Sequence, residues 1–516
     1  MPSLNWIGKE AVANHDKEVP FKLLKKVKSA SVGDSSQNLI IHGDNLEGLK
    51  ALMPYYSGSV KCIYIDPPYN TGNENWVYND RVNSPKIKQW LGKVVGRESE
   101  DLTRHDKWLC MMYPRLKLLR DLLSEDGVMF VSIDDDESHY LKAILDEIFV
   151  RENFVANIIW EKKYSPQNDA KWLSDSHDHI LLYAKNKESW RPNLLPRSEE
   201  MDARYKNVDG DPRGLWKSSG LDVKTYSKQY DYPITTPSGR IVHPPKGACW
   251  RVSRERFKEL VADNRIWFGK DGNNVPSIKR FLSEVQQGLV SKTIWYRTEV
   301  GDNQEAKQEI KILFGDSETP FNTPKPVRLI KRILQLATGK NDLILDSFAG
   351  SGTTGHAVMD LNKEDGGRRK FIMVEMEDNV AKDITAERVR RAIKKYGYKD
   401  GFEYCELDKP LFNEEGQIDN ECDFKQLATY IYFTETQMNI NPKEIEGNFI
   451  GELGADEYYL IYKGRDKNDL DKSFLKKLKK TNNKKVVYAD RCLLDEDVLA
   501  EHNIIFKQIP YEVKIY

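Results

Sequence analysis

Twice along the chain, short apolar runs alternate with amphipathic helical patterns, and this rhythm limits the fold more than any other feature. The first block carries "NLIIH" at 38–42, "VKCIYI" at 60–65 and "GVMFVSI" at 127–133. Between the last two lies "HDKWLCMMYPRLKLLRDLL" at 105–123, with Trp108, Met111, Met112, Leu119 and Leu122 as its apolar positions and Pro114 placed to kink it. "ESHYLKAILDEIF" follows the acids Asp134, Asp135 and Asp136 as another helix. In the second block, "PKPVRLIKRILQLAT" at 324–338, "DLILDSF" at 342–348, "TTGHAVMDLN", "KFIMVEM" at 370–376 and "NVAKDITAERVRRAIKKYG" read helix, strand, helix, strand, helix. Such alternation predicts an α/β fold with a mostly parallel central sheet covered by helices.

The texture changes between the blocks, over 160–320. Turn formers, aromatics and charges intermingle there ("RYKNVDGDPRGLWKSSG", "RIWFGKDGNNVPSIKR") without clean periodicity. The expected organisation is therefore an N-terminal extension at 1–37, one half of a sheet domain at 38–159, an inserted region at 160–320, the other half at 321–410, and a mixed α/β segment at 411–516. The last ends in "KKVVYAD" and "NIIFKQI".

Length and charge exclude more than they assign. The 516 residues allow two to four domains, and a formal net charge of −1 means that a nucleic acid would be held by a local basic surface. No run is long and apolar enough for a membrane helix, and the first residues lack the compact apolar core of a signal peptide. Six cysteines without a CxxC pair argue against a disulfide framework or zinc ribbon. A cytoplasmic protein with reduced thiols is expected.

Two strand ends carry chemistry. In "DSFAGSGTTG" at 346–355 a strand runs into a glycine turn and then a helix; Gly350, Gly352 and Gly355 fit GxGxxG, and Glu375 closes the next strand where a ribose-binding acid belongs. That turn fits NAD, FAD and S-adenosylmethionine almost equally, and a tight turn without a ligand is a further reading. The other strand end is "YIDPPYNTG" at 64–72. Tandem prolines remove two N–H donors and fix the chain, so carbonyls can turn outward. Asp66 and the Pro67 carbonyl are two acceptors beside the flat ring of Tyr69, which matches an exocyclic amine on a planar heterocycle. Accepting both amine hydrogens favours a tetrahedral nitrogen, the form it takes when attacking a methyl donor. Aromatic faces such as Tyr69 or Phe348 tolerate a sulfonium cation.

"DPPYNTG" followed much later by "FAGSGTT" resembles the DNA amino-methyltransferases in their β-class order, with the catalytic loop first, the target-recognition region next and the donor loop last. "IIHGDNLEGLKAL", "GVMFVSIDDDE", "NDAKWLSDSHDHILLYAKN", "FNTPKPVRLIKRIL" and "FIMVEMED" look like modification subunits of type III restriction–modification systems, over most of 38–400. The resemblance implies a Rossmann-like S-adenosylmethionine-dependent methyltransferase fold with an inserted target-recognition domain. The implied activity is site-specific methylation of adenine N6 in double-stranded DNA by base flipping. An acid in DPPY points to adenine N6, whereas cytosine N4 enzymes more often show serine. Residue by residue, Asp66, Pro67, Pro68 and Tyr69 would form the catalytic loop. Phe348, Gly350 and Gly352 would line the donor's methionine portion, with Asp346 at the strand end. Glu375 would take the ribose hydroxyls, Asp44 would lie near the donor's adenine, and Lys325 and Pro326 would precede the helix covering the methionine end. The implied cofactor is S-adenosylmethionine, with no metal required for transfer. This chain carries no GxxxxGK[ST] loop and so is not itself a translocating ATPase; the resemblance implies a homodimer and leaves room for a separate restriction subunit, an ATP-dependent nuclease, as a partner.

Rival readings are a cytosine-N4 methyltransferase, a non-catalytic DNA-recognition subunit and, from the glycine turn alone, a nicotinamide oxidoreductase. His177 and His179 in "SHDHILLY" share one side of a strand, as metal ligands would, but no third ligand is evident nearby. Asp134–Asp136 are expected to cap the next helix rather than hold Mg²⁺. The lysine run at 472–485 suits phosphate contact and, at least as well, a solvated helix face. Arg213, Lys217, Lys224, Arg251, Arg254 and Arg256, among Trp216, Tyr226 and Trp250, suit DNA contact.

Overall fold

Ten strands form one large sheet. In chain order they are β1 (Lys22–Lys26), β2 (Leu39–His42), β3 (Val60–Ile65), β4 (Leu123–Ile133), β5 (Phe154–Glu161), β6 (His177–Ala184), β7 (Ile294–Trp295), β8 (Leu343–Asp346), β9 (Lys370–Glu375) and β10 (Glu403–Pro410). Their order across the sheet is β1-β10-β2-β9-β8-β3-β4-β6-β5-β7. The six strands from β10 to β4 are mutually parallel, β6 runs against both β4 and β5, and β1 runs against β10. This computed structural model describes residues 3–33, 37–71, 103–168, 170–285, 288–315, 320–412, 417–419, 421–464 and 468–509. Gly72, the last residue of the proline-loop motif, lies outside them.

The central strands are near-continuous apolar runs because helices cover both faces. Ile63, Ile65, Val131 and Leu345 are buried in one core with Leu49 and Leu52 of α1 (Asn45–Tyr56) and Leu116 and Leu119 of α2 (Arg104–Leu122). Thr103 and Asp106 close a reciprocal capping box at the start of α2. α3 (Ser138–Phe149) follows β4, α4 (Asn303–Phe314) and α5 (Val327–Ala337) precede β8, α6 (Thr353–Asp365) joins β8 to β9, and α7 (Glu387–Tyr396) follows β9. In α5, Ile330, Ile333, Leu334 and Ala337 recur at helical spacing and are buried.

The expected textures and the observed units differ at their edges. The chain divides into residues 1–193 with 292–516, and a smaller unit, Leu194–Ser291. β6, β7 and α4 fall inside the irregular 160–320 stretch yet belong to the larger unit. The strand read in "SHDHILLY" is present as β6, but nothing in its short apolar run shows that it joins the main sheet. The smaller unit has a three-stranded antiparallel sheet made of Ile266–Trp267, Ser277–Phe281 and Trp216–Gly220. Trp250, Phe257, Leu260 and Ile266 form its core. Trp216 and Trp250 are buried and serve the interior, while the half-buried Arg213 is paired with Asp211 (2.9 Å) and Asp263 (3.2 Å). Lys217, Lys224, Tyr226, Arg251, Arg254 and Arg256 are exposed.

The C-terminal strands Phe449–Leu453, Asp456–Leu460, Lys484–Ala489 and Ile504–Gln508 form a separate four-stranded sheet. Leu427, Ile431, Tyr458 and Tyr488 of this segment share the main core. The lysine run at 472–485 is a short 3₁₀ turn, Phe474–Lys477, leading into the strand at Lys484, not one helical face. No helix among the described residues is long and apolar enough to cross a membrane. Five cysteines are buried and one is half-buried, and all are free thiols.

Candidate functional site

β3 and β8 are parallel neighbours, with Cys62 opposite Ile344 and Ile63 opposite Leu345. Their carboxyl ends therefore emerge side by side, and the proline loop and the glycine turn line one cavity of about 270 Å³. Asp66, Pro67, Pro68, Tyr69, Lys325, Asp346, Phe348 and Gly350 all line it. Asp44, Pro326, Gly352 and Glu375 do not.

The proline loop is held from beneath. Trp108 of α2 donates its indole N–H to the Pro68 carbonyl at 2.7 Å. Asn70, at φ 59°, is buried and donates to Glu137 at 2.5 Å and to the Arg104 carbonyl at 3.1 Å. His105 Nδ1 lies 2.7 Å from the same Glu137 oxygen. Burial pushes the Glu137 pKa up, against these bonds. Glu137 is also the residue before α3 and its side chain makes no capping bond; the first helical N–H, on Ser138, goes to the Asp134 backbone carbonyl at 3.1 Å rather than to an acid side chain. Asp134 instead accepts from Asp136 N–H at 3.0 Å, and burial raises its pKa to about 7.

Above the loop, the Lys325 ammonium is hydrogen-bonded to Asp66 Oδ2 and lies 5.1 Å from the centre of the Tyr69 ring. Asp66 Oδ1 is buried and has no hydrogen-bond partner among the described residues. The Tyr69 hydroxyl lies 3.4 Å from Asp178 Oδ2. Burial and the Asp178 carboxylate push that phenol's pKa well above its usual value, which keeps it a donor. Asp178 and Asp175 in turn grip Lys162 at 2.7 and 2.6 Å. Burial would lower the lysine's pKa, but the two carboxylates outweigh it.

On the glycine side, Asp346 accepts from Phe348 N–H at 3.0 Å and from the Thr354 hydroxyl at 2.5 Å. Burial nonetheless raises its pKa to about 7. Gly350 and Gly352 have φ of 50° and 76°, left-handed values that suit glycine. A Cβ on Gly350 would stand 3.2 Å from Phe321 Cζ, and one on Gly352 2.9 Å from the Thr385 carbonyl oxygen. Glu375 accepts from Gly350 N–H at 2.8 Å and from Glu377 N–H at 3.0 Å, so in this state its carboxylate secures the turn. Asp44 caps α1 through Leu46 N–H and Glu47 N–H and pairs with Arg115 at 3.2 Å. Pro326 precedes α5, whose first N–H, on Val327, is taken by Glu309 at 3.0 Å.

Several site residues escaped sequence reasoning. Asp178 left one signal, an acid inside a buried strand pattern. Trp108 read only as a core position of a helix. Arg388, fully buried and donating to Ser351 and Thr353 at 2.9 and 2.7 Å, is one of three arginines in the helical pattern "AERVRRAIKK", where nothing sets it apart.

Residues 60–387 match the family model described as DNA methylase (N6_N4_Mtase). The chain is similar to the Mod subunit of the type III restriction-modification enzyme StyLTI from Salmonella typhimurium, 39% identical over 367 residues, 69% of this chain and 54% of that protein. It therefore spans about half the length of that relative. It is also similar to the EcoP15I Mod subunit from Escherichia coli, 31% identical over 470 residues, 78% of this chain and 71% of that one. Among solved structures, the PvuII DNA methyltransferase (cytosine-N4-specific) is 12% identical, covers 70% of this chain and 93% of its own, and gives a TM-score of 0.34.

Proposed function

The chain belongs to the DNA methylase family, and from that premise we propose that it methylates adenine N6 in double-stranded DNA, as the modification subunit of a type III restriction–modification system. The observation that carries this reading is the meeting of the Asp66–Tyr69 loop and the Phe348–Gly350 turn in one cavity. When bound, S-adenosylmethionine supplies a methyl group on a cationic sulfur. The residues fit such a donor: a turn shaped by two left-handed glycines and an aromatic face in Phe348 that lines the cavity.

The chain's own part is to hold the acceptor amine. Lys325 fixes Asp66 through Oδ2, which leaves Oδ1 to accept one amino hydrogen. Trp108 ties down the Pro68 carbonyl, so the Pro67 carbonyl is the oxygen offered to the second. With both hydrogens engaged, the nitrogen lone pair is freed from the ring for attack. The target base cannot react inside the duplex, and Tyr69 offers a ring for it once it is swung out. Asp66 acts as an acceptor rather than a strong base, and proton loss follows transfer. The region at 160–320 would contact DNA, through exposed groups such as Lys217, Tyr226 and Arg251. Homodimerisation and a separate ATP-dependent restriction subunit belong to the same proposal.

The test is incubation of the purified chain with labelled S-adenosylmethionine and mixed-sequence DNA, followed by nucleoside analysis. N6-methyladenine is expected; N4-methylcytosine would reassign the base, and no incorporation would overturn the reading. Asp66→Ala should abolish transfer while largely sparing donor binding.

A further inference from the structure

His177 and His179 point to the same side of β6, as alternate residues of a strand do. The fold brings them a third ligand that is distant in sequence. β4 and β6 pair antiparallel with Ile133 opposite His179, so the chain leaving β4 carries Asp135 to the same imidazoles. One ligand atom from each of Asp135, His177 and His179 falls within 4.8 Å of the others. His179 Nε2 is 2.8 Å from Asp135 Oδ1, and the two imidazole centres are 5.2 Å apart.

We propose that Asp135, His177 and His179 form a binding site for a divalent d-block cation of the Zn²⁺, Co²⁺ or Ni²⁺ type. Two imidazoles and one carboxylate are a donor set that such borderline ions prefer over Mg²⁺ or Ca²⁺, which take oxygen ligands. A tetrahedral ion about 2.0–2.1 Å from each donor would set the donors roughly 3.3 Å apart. Rotation of the exposed Asp135 side chain and small ring adjustments reach that spacing. Asn157 approaches His179 Nδ1 with Oδ1 at 3.2 Å and Nδ2 at 3.0 Å. With Oδ1 accepting the Nδ1 proton, Nε2 presents its lone pair toward Asp135, and a cation between the two satisfies both. The imidazoles are half-buried and Asp135 is exposed, which gives an ion an entry path and leaves one position for water.

The location links the site to the cavity. Asp134 and Asp178, each a sequence neighbour of a proposed ligand, line the cavity. An ion here would tie the end of β4 to the start of β6, the two segments carrying those acids. The proposal does not depend on the methyl-transfer reading.

The test uses the full chain after dialysis against chelator, titrated with Co²⁺. One saturable equivalent with visible d–d absorption is expected, displaced by Zn²⁺. Binding should fall at least tenfold in His177→Ala, His179→Ala and Asp135→Ala and stay unchanged in His139→Ala. In the wild-type chain, which needs no substitution, Co²⁺ should shift and broaden the imidazole NMR signals of His177 and His179. No saturable Co²⁺ binding, no effect on those signals at saturation, or binding undiminished in a His177→Ala/His179→Ala double variant would each overturn the site.

Discussion

Lys325 and Asp66, 259 positions apart in the sequence, are joined by a hydrogen bond between the lysine ammonium and Oδ2 of the strand-end acid. The pair is largely shielded, with side-chain exposures of 9% and 22%, so it orients the carboxylate rather than fluctuating in water. Lys325→Met keeps most of the apolar stem of the side chain and removes its charge. In that variant Asp66 loses its fixed orientation, and kcat for methyl transfer should drop by about 10²-fold, the scale of one misplaced electrostatic group. Donor affinity should change far less. An equal loss in both would show that Lys325 serves the donor and not Asp66.

The proline loop at Asp66–Tyr69 is secured by Trp108. Replacing it with Phe keeps most of the buried ring but leaves the Pro68 carbonyl without its 2.7 Å donor. An unmet polar group at such a site costs about 1–3 kcal/mol. Trp108→Phe should therefore lower the melting temperature and reduce turnover while donor binding persists. Unchanged turnover would mean that the loop holds its shape without this bond.

Sequence patterns show the parallel half of this fold clearly, because strands buried on both faces must be apolar throughout and the helices between them must be amphipathic. The segments at 38–42, 60–65, 342–348 and 370–376 all contain sheet strands. The strand at "SHDHILLY" is legible too, but its antiparallel place between β4 and β5 is not, because that pairing is set by tertiary contact rather than by its own residues. The same contrast holds at the site. Proline and glycine announce themselves by backbone chemistry, so Asp66–Tyr69 and Gly350 were legible. Lys162, Asp178 and Asp135 reach their partners only through strand pairing, and no spacing rule encodes that.

Gly352 and Gly366 give an internal comparison, since both are left-handed, at φ 76° and 70°. A Cβ at Gly366 meets nothing within 4 Å, whereas one at Gly352 would press on the Thr385 carbonyl. Gly366→Ala should cost only the conformational term, about 1–2 kcal/mol. Gly352→Ala should cost more and should also weaken S-adenosylmethionine binding at least tenfold, read by calorimetry. Equal stability losses with donor affinity intact would remove Gly352 from the donor cradle.

Asp346 should make stability depend on pH in the direction opposite to that of a paired surface acid. In the folded chain burial raises its pKa to about 7, whereas an unfolded aspartate titrates near 3.9. Between these values the folded state binds a proton that the unfolded state lacks, so stability falls as pH rises through the window and levels off above it. The shift corresponds to a few kcal/mol at most, on the order of 1.4 kcal/mol per pKa unit. Asp346→Asn carries no titrating group yet keeps an oxygen for Phe348 N–H. Relative to this variant, the wild-type chain should lose melting temperature on going from pH 4.5 to pH 8, because only the wild type must then bury a charge. A difference between the two that stays constant across that range would mean the Asp346 carboxylate is already ionised at the acid end, with Thr354 and the Phe348 amide outweighing burial.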